Sequence, residues 1–350
     1  MQRYSLIPIV FVLGLTGCGG DVAALRQAQG DTVRQAQGDT VRQSQAFVFS
    51  QYKDVGIGIN WSDYVISTAV TGKQQALVDA MPAKNTTTTL AFATGTCGSE
   101  QWAGIPAQQL IAANMQNFVD AGKDYVISTG GADGTFLCPS AQAFLTFVQS
   151  YYTSNMIGVD FDIEAGQTQQ QIDDLVEDVQ AAQTQYPAMR FSFTVPTLGG
   201  NANPALGYEG VLVMNAIQKY ALGNYLIDLM TMDYGSAIPS NCVVVGRKCE
   251  MGKSAVRAAV DLHRQFGVPY SQIEITPMIG GNDSQGETFT IKDVGIVSTF
   301  VRQHGLGGVH FWSFDRDRDC KPGPAKSTCN SYGKAGTLGF TNAFISDLGL

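Results

Sequence analysis

Gly158-Val159-Asp160-Phe161-Asp162-Ile163-Glu164 is the stretch that decides the fold. Acids stand at every second position, with Val159, Phe161 and Ile163 between them. This is the period of a β-strand, in which successive side chains point to opposite faces. As a strand, it sends Asp160, Asp162 and Glu164 to one side. The three apolar residues go to the other side, where a covering helix can bury them. The bland alternative, an exposed edge strand with solvated charges, does not account for residues this apolar between the acids. Three carboxylates on one face repel one another, so they do not serve stability. Like charges at close range push at least one pKa upward. That keeps a carboxylic acid protonated near neutral pH, ready to donate its proton.

Working outward, strand-like apolar runs alternate with helical stretches. The runs are Val55–Asn60, Thr87–Ala93, Tyr125–Ser128, Ile157–Ile163, Arg190–Val195, Leu226–Met232, Ile273–Met278 and Gly308–Phe314. Helical stretches include Pro106–Ala121, Ala141–Ser150, Thr168–Gln185 and Ala255–Phe266. Such alternation implies βαβ units and a parallel sheet. Eight repeats in about 300 residues predict a TIM (β/α)8 barrel, which explains the count better than an open doubly wound sheet. In such a barrel the C-terminal strand ends carry the active site. Ser128-Thr129-Gly130-Gly131 ends the third strand and Glu164 the fourth. Met230-Thr231-Met232-Asp233-Tyr234 ends the sixth, and Phe311-Trp312-Ser313-Phe314-Asp315 the eighth.

The N-terminus reads as a targeting segment. Arg3 is followed by an apolar run, Leu6 to Leu15, too short to span a membrane. Leu15-Thr16-Gly17-Cys18 looks like a bacterial lipoprotein signal, with cleavage before Cys18 and lipid on its sulfur. An ordinary secretory signal is the alternative. The unit Arg26-Gln27-Ala28-Gln29-Gly30-Asp31-Thr32-Val33 recurs from Arg34 and in part from Arg42. It has no apolar face and reads as a flexible tether. The expected organisation is a signal peptide over 1–17, a lipid anchor and low-complexity linker over 18–50, and the barrel over 51–350. The expected location is outside the cytoplasm, either secreted or lipid-anchored to a bacterial membrane at the cell surface or in the periplasm.

The chain carries 44% hydrophobic and 15% charged residues, with a net charge of −8. The acidic balance argues against nucleic acid and anionic membrane surfaces as partners, leaving the lipid at Cys18 as the membrane contact. No protein partner is implied. His263, His304 and His310 show no metal-ligand spacing, and His310 reads as a satisfied interior group. Neither a metal nor another cofactor is expected. Of seven Cys, six remain if Cys18 is lipidated, and an even number in an exported chain suggests disulfides. Cys97 and Cys138 follow adjacent strands, Cys242 and Cys249 share one loop, and Cys320 and Cys329 share another. Those are the three predicted bridges; no C-x-x-C spacing supports a zinc site instead.

The central stretch resembles the D-G-x-D-x-D-x-E signature of family 18 glycoside hydrolases, the chitinase family, with Ile157 in place of the leading Asp. Ser128-Thr129-Gly130-Gly131 resembles the family's S-x-G-G. Met232-Asp233-Tyr234-Gly235 resembles its M-x-Y-D, with Gly235 in place of Asp. Trp312 stands where the family has a Trp on the floor of the site. The resemblance runs from about residue 50 to 345. It implies hydrolysis of β-1,4-linked N-acetylglucosamine polymers by substrate-assisted, retaining catalysis. Glu164 is then general acid and base, Asp162 grips the acetamido N–H, and Asp160 shares a proton or charge with Asp162. Tyr234 holds the acetamido carbonyl and Trp312 stacks on the sugar. Met232, Asp233, Ser128 and Gly130 complete the substrate site. Asp233 or Asp315 is placed to supply the polar group that Gly235 lacks. The segment from Ile279 to Gly307 has room for a loop and one helix, with no insertion domain between strands seven and eight. An endo-β-N-acetylglucosaminidase on glycoprotein glycans and a non-catalytic chitin-oligosaccharide binder are the competing readings.

Overall fold

The computed structural model describes residues 46–132 and 134–350. The signal peptide, Cys18 and the Gln-rich repeats lie outside the described residues. Eight strands form the barrel: β1 (Val48–Asp54), β2 (Thr87–Thr96), β3 (Asp124–Gly130), β4 (Met156–Asp162), β5 (Arg190–Pro196), β6 (Leu226–Met230), β7 (Ile273–Thr276) and β8 (Gly308–Trp312). Each pairs in parallel with the next, and β1 closes the ring by pairing with both β2 and β8. The helices are α1 (Leu77–Ala80), α2 (Ala107–Ala121), α3 (Ala141–Tyr151), α4 (Gln169–Gln185), α5 (Tyr208–Tyr220), α6 (Met251–Phe266), α7 (Ile291–His304) and α8 (Gly339–Leu348). This is the TIM barrel that the sequence predicts.

One strand lies elsewhere than the sequence reading put it. β1 is Val48–Asp54, whereas Val55–Asn60 forms turns and a single bridge from Asn60 to Val65. The barrel therefore begins three residues before the expected boundary at 51. The reason is chemical. β1 buries Ser50, Gln51 and Lys53, polar residues that look like the end of a linker. All but the Gln51 amide nitrogen are matched inside: Ser50 Oγ lies 2.6 Å from His310 Nδ1, Lys53 pairs with Asp315, and Gln51 Oε1 accepts from Asn85. Paired groups escape the usual cost of burial.

The alternation in the deciding stretch holds. Val159, Phe161 and Ile163 are buried on the outer face of β4. Phe161 packs against Phe144 of α3 at 5.8 Å and Phe193 of β5 at 5.3 Å between ring centroids. Truncating such a ring to Ala typically costs about 3–5 kcal/mol. α4 starts at a capping box, in which Thr168 Oγ1 accepts from the Gln171 backbone and Gln171 Oε1 accepts from the Thr168 backbone. Its buried Ile172, Val176, Val179 and Ala182 recur at helical spacing and cover the sheet. β7 and β8 are joined by a small hairpin (Gly280–Gly281 with Thr288–Phe289) and α7, with no added domain.

All three predicted bridges are present. The Cα–Cα distances are 5.0 Å for Cys97–Cys138, 5.5 Å for Cys242–Cys249 and 5.8 Å for Cys320–Cys329. They tie the loops that rise from the C-terminal ends of β2, β3, β6 and β8, the rim on which the site is built.

Candidate active site

The parallel register sets the depth of each acid on β4. Asp160 lies beside Ser128 of β3 and Ser192 of β5, and Asp162 beside Gly130 and Thr194. Asp160 is 1% exposed and accepts from four hydroxyls. Ser128 and Tyr52 donate to Oδ2 at 2.6 and 3.0 Å; Ser192 and Thr194 donate to Oδ1 at 2.7 and 2.8 Å. Burial pushes its carboxyl above the ordinary range, and those hydroxyls oppose the push. Asp162 is 5% exposed, and its Oδ1 has no hydrogen-bond partner in the protein. Its pKa is held well above the carboxylate range, first by burial and then by the charges of Glu164, Asp160 and Asp228. Repulsion, which the sequence reading invoked, is therefore real but second to desolvation. Glu164 lies two residues past Asp162, the last residue of β4, and is half-buried at the mouth.

These side chains open into a cavity of ≈ 380 Å³ at the C-terminal end of the barrel. Asp162, Glu164, Met232, Asp233, Gly130 and Trp312 all line it. Trp312 stacks on Phe92 at 5.7 Å and 15°, giving the cavity a flat aromatic wall. Gly130 has φ +88°, and a Cβ there would stand 2.2 Å from the carbonyl oxygen of Asp162. That oxygen also accepts from the Gly131 N–H at 3.0 Å. The two glycines thus let β3 and β4 close up behind Asp162.

Three expected roles need correction. Ser128 does not line the cavity; it is fully buried and supports Asp160 from below. Asp315 is committed to Lys53 and Thr68, so it cannot serve as a polar partner for the sugar. Tyr234 is 3% exposed and absent from the cavity wall. Its backbone N–H donates to Glu287 at 3.1 Å and its carbonyl accepts from Asn241 at 2.9 Å. The cause is a left-handed residue, Asp233 at φ +49°, which ends the strand alternation and turns the chain out of the cavity. The residues facing inward are Met230, Met232 and Asp233. Met230-Thr231-Met232-Asp233 therefore occupies the place of M-x-Y-D, with Met232 for Tyr and Asp233 for Asp. Gly235 is then no departure from the pattern.

Sequence reasoning missed Tyr52 and Asp228. Tyr52 was hidden by the misplaced first strand. Asp228 had a signal: a lone acid among Leu226, Ile227 and Leu229, in phase with Met230. Beside it in register on β7, Glu274 pairs with Arg190 and lies 3.1 Å from His310 Nε2. Burial pushes Glu274 up, but Arg190 and His310 together bring it below the ordinary range. His310 is the satisfied interior group that its apolar strand suggested. Among the described residues, no group of three or more His, Cys, Asp or Glu is disposed to hold a metal ion.

A closed (β/α)8 barrel with acids at alternate positions along its fourth strand is the fold that the sequence resemblance implies. Comparison with known proteins gives the same picture at the level of similarity. The chain is 30% identical over 246 residues to endochitinase 11 of Metarhizium anisopliae, a match covering 62% of this chain and 45% of that protein. It is 30% identical over 234 residues to a probable bifunctional chitinase/lysozyme of Escherichia coli K12, covering 59% of this chain and 26% of that protein. The chain thus spans less than half the length of either relative. Among solved structures, the catalytic domain of a hyperthermophilic chitinase from Pyrococcus furiosus superposes with a TM-score of 0.67 at 24% identity, covering 87% of this chain and 95% of that one. No family model matches the chain.

Proposed function

We propose that the protein is a chitinase-like glycoside hydrolase of family 18, cleaving β-1,4 linkages of N-acetylglucosamine polymers by substrate-assisted, retaining catalysis. The observation that carries this reading is Asp162: a buried acid whose Oδ1 has no protein partner, facing a cavity with an aromatic wall. Leaving a buried polar atom unpaired costs about 1–3 kcal/mol. A sugar bearing an acetamido group repays that cost by donating its N–H to Asp162. The same hydrogen bond aims the acetamido carbonyl oxygen at the anomeric carbon. Glu164, at the mouth, protonates the departing glycosidic oxygen and later takes a proton from water. The intermediate is an oxazolinium ion: Asp162 holds its N–H, and the charge of the Asp160–Asp162 pair offsets its positive charge. Asp160, held by its four hydroxyls, keeps a negative charge or a shared proton beneath Asp162, so the pair titrates as a unit. Trp312 carries the apolar face of the sugar. The similarity to two proteins named as chitinases supports the substrate class.

The expected result with purified protein and N-acetylglucosamine oligomers is a ladder of shorter oligomers by mass spectrometry. Release of a trimmed glycan from a high-mannose glycoprotein, with the oligomers untouched, would move the reading to an endo-β-N-acetylglucosaminidase. Binding without any product would move it to a lectin-like binder.

We also propose that the chain is exported and lipid-anchored through Cys18, on the strength of Leu15-Thr16-Gly17-Cys18 after a short apolar run and of three disulfides in the barrel. The processed protein is expected in the detergent phase of a phase partition, and Cys18→Ser in the aqueous phase. Wild-type protein in the aqueous phase sinks the anchor.

A further inference from the structure

Asp228 stands apart from the acids of β4, and no step above uses it. It is 1% exposed, in register with Thr194 of β5 and Glu274 of β7. Its Oδ2 lies 2.6 Å from Thr276 Oγ1, 3.1 Å from Tyr52 Oη and 3.3 Å from Thr194 Oγ1. Tyr52 Oη is also 3.0 Å from Asp160 Oδ2 and 2.9 Å from Thr194 Oγ1. Thr194 Oγ1 is 2.8 Å from Asp160 Oδ1. Two hydroxyls therefore sit between two buried carboxyls.

A hydroxyl has one proton to donate. With both carboxyls ionised, Tyr52 and Thr194 cannot satisfy every contact, and at least one close oxygen pair contains no proton. In a buried site that contact is repulsive. One proton on Asp228 covers every carboxyl contact of Tyr52 and leaves only the Tyr52–Thr194 pair at 2.9 Å and the long Thr194–Asp228 pair at 3.3 Å without a proton. Asp228 Oδ2 then donates to Tyr52 Oη, Tyr52 donates to Asp160 Oδ2, and Thr194 donates to Asp160 Oδ1. With Ser128 and Ser192, Asp160 receives four donated protons and keeps its charge.

Resting on the proposed hydrolase reading, we infer that Asp228 is a positioning residue: it holds a proton, orients Tyr52 toward Asp160, and so makes Asp160 the charged member of the Asp160–Asp162 pair. The groups facing it are Tyr52 on β1, Asp160 and Asp162 on β4, Glu274 on β7 and His310 on β8, with Arg190 of β5 paired to Glu274. Burial raises its carboxyl, His310 opposes, Glu274 and Asp160 add to the rise, and the balance is about 7. When pH rises through that value Asp228 ionises and draws the Tyr52 proton to itself. Asp160 loses a donor and becomes easier to protonate, so the proton that belonged to Asp162 moves down. The active arrangement is lost on the alkaline side.

The test is the pH profile of kcat on a chitin oligomer for wild type and Asp228→Asn. Asn presents an N–H to Tyr52 and cannot ionise. Its alkaline limb should move up by about one unit or more, a tenfold change in proton concentration at half activity, with kcat rather than KM carrying the shift. Superimposable profiles overturn the proposal. In parallel, carbon-13 NMR of labelled Asp carboxyls in the wild type should show a buried carboxyl titrating near neutrality in addition to Asp178, which burial pushes up to about 7, and Asp317, which burial pushes up to about 6. The Tyr52 ring signals, assigned with Tyr52→Phe, should follow it. No carboxyl titrating there beyond those two, or a Tyr52 signal indifferent to pH, also overturns it. This measurement stands if Asp228→Asn does not fold. If the wild type cuts no oligomer, the hydrolase reading fails while the titration still decides the network.

Discussion

Replacing Glu164 with Gln is expected to lower turnover of N-acetylglucosamine oligomers by about 10²–10⁴-fold while oligosaccharide binding survives. Gln has the size of Glu and can still donate an N–H, so the shape of the cavity mouth persists. It cannot release a proton to a leaving oxygen, nor take one from water in the second step. Both halves of the reaction therefore suffer at one position. Binding rests on other groups: Trp312 and Phe92 form the aromatic wall, and Asp162 offers its unpaired Oδ1. Those groups are untouched by the change, so calorimetric affinity for a tetramer should stay near that of the wild type. A second effect has a definite sign. Glu164 is the largest of the charges that raise the Asp162 pKa, behind burial. Removing that charge should lower the pKa of Asp162, visible in the same carboxyl titration. A variant keeping more than about a tenth of wild-type turnover would remove Glu164 as the general acid.

What the sequence revealed, and what it hid, follows from how polar groups are buried in this barrel. β4 was legible because its two faces differ: acids inward, Val159, Phe161 and Ile163 outward. Where buried polar residues fall on both faces of a strand, as Ser50 on one side of β1 and Gln51 and Lys53 on the other, the pattern resembles a loop. Ser50, Gln51 and Lys53 become core residues only through His310, Asn85 and Asp315, which lie at distant points of the chain. No local window contains those partners. The same holds for Tyr52 and Asp228, which meet across 176 residues. The disulfides were readable because each pair follows neighbouring strands or shares a loop, which a barrel makes adjacent. The motif register at β6 was not. A left-handed Asp233 decides whether Met232 or Tyr234 faces the cavity, and an Asp at that position has no required sign of φ.

The largest effect is expected from the substrate rather than from the protein. If the acetamido group is the nucleophile, a sugar lacking it at the subsite of Asp162 should not be cut. Its carbonyl oxygen attacks the anomeric carbon and inverts it, and water then attacks from the opposite face and inverts it again. The first product of a β-linked substrate is therefore the β anomer. A tethered nucleophile of this kind carries an effective molarity of about 10⁵ M or more, and removing the acetyl group forfeits that factor. Asp162 is a poor replacement, because its raised pKa leaves it a weak nucleophile, and its place on the inward face of β4 suits gripping an N–H. Cellulose oligomers and fully deacetylated chitosan should accordingly remain intact under conditions that digest chitin oligomers. A stable thiazoline mimic of the oxazolinium ion should inhibit, since it presents both the ring and the N–H that Asp162 receives. Proton NMR of a fresh digest reads the anomer before mutarotation mixes the two forms. An initial α product, or efficient cleavage of a cello-oligosaccharide, would overturn the roles given to Asp162 and Glu164. Retention without an acetamido group would require a carboxylate nucleophile within reach of the anomeric carbon, and the acid in line with Glu164 lies buried beneath it on the same strand.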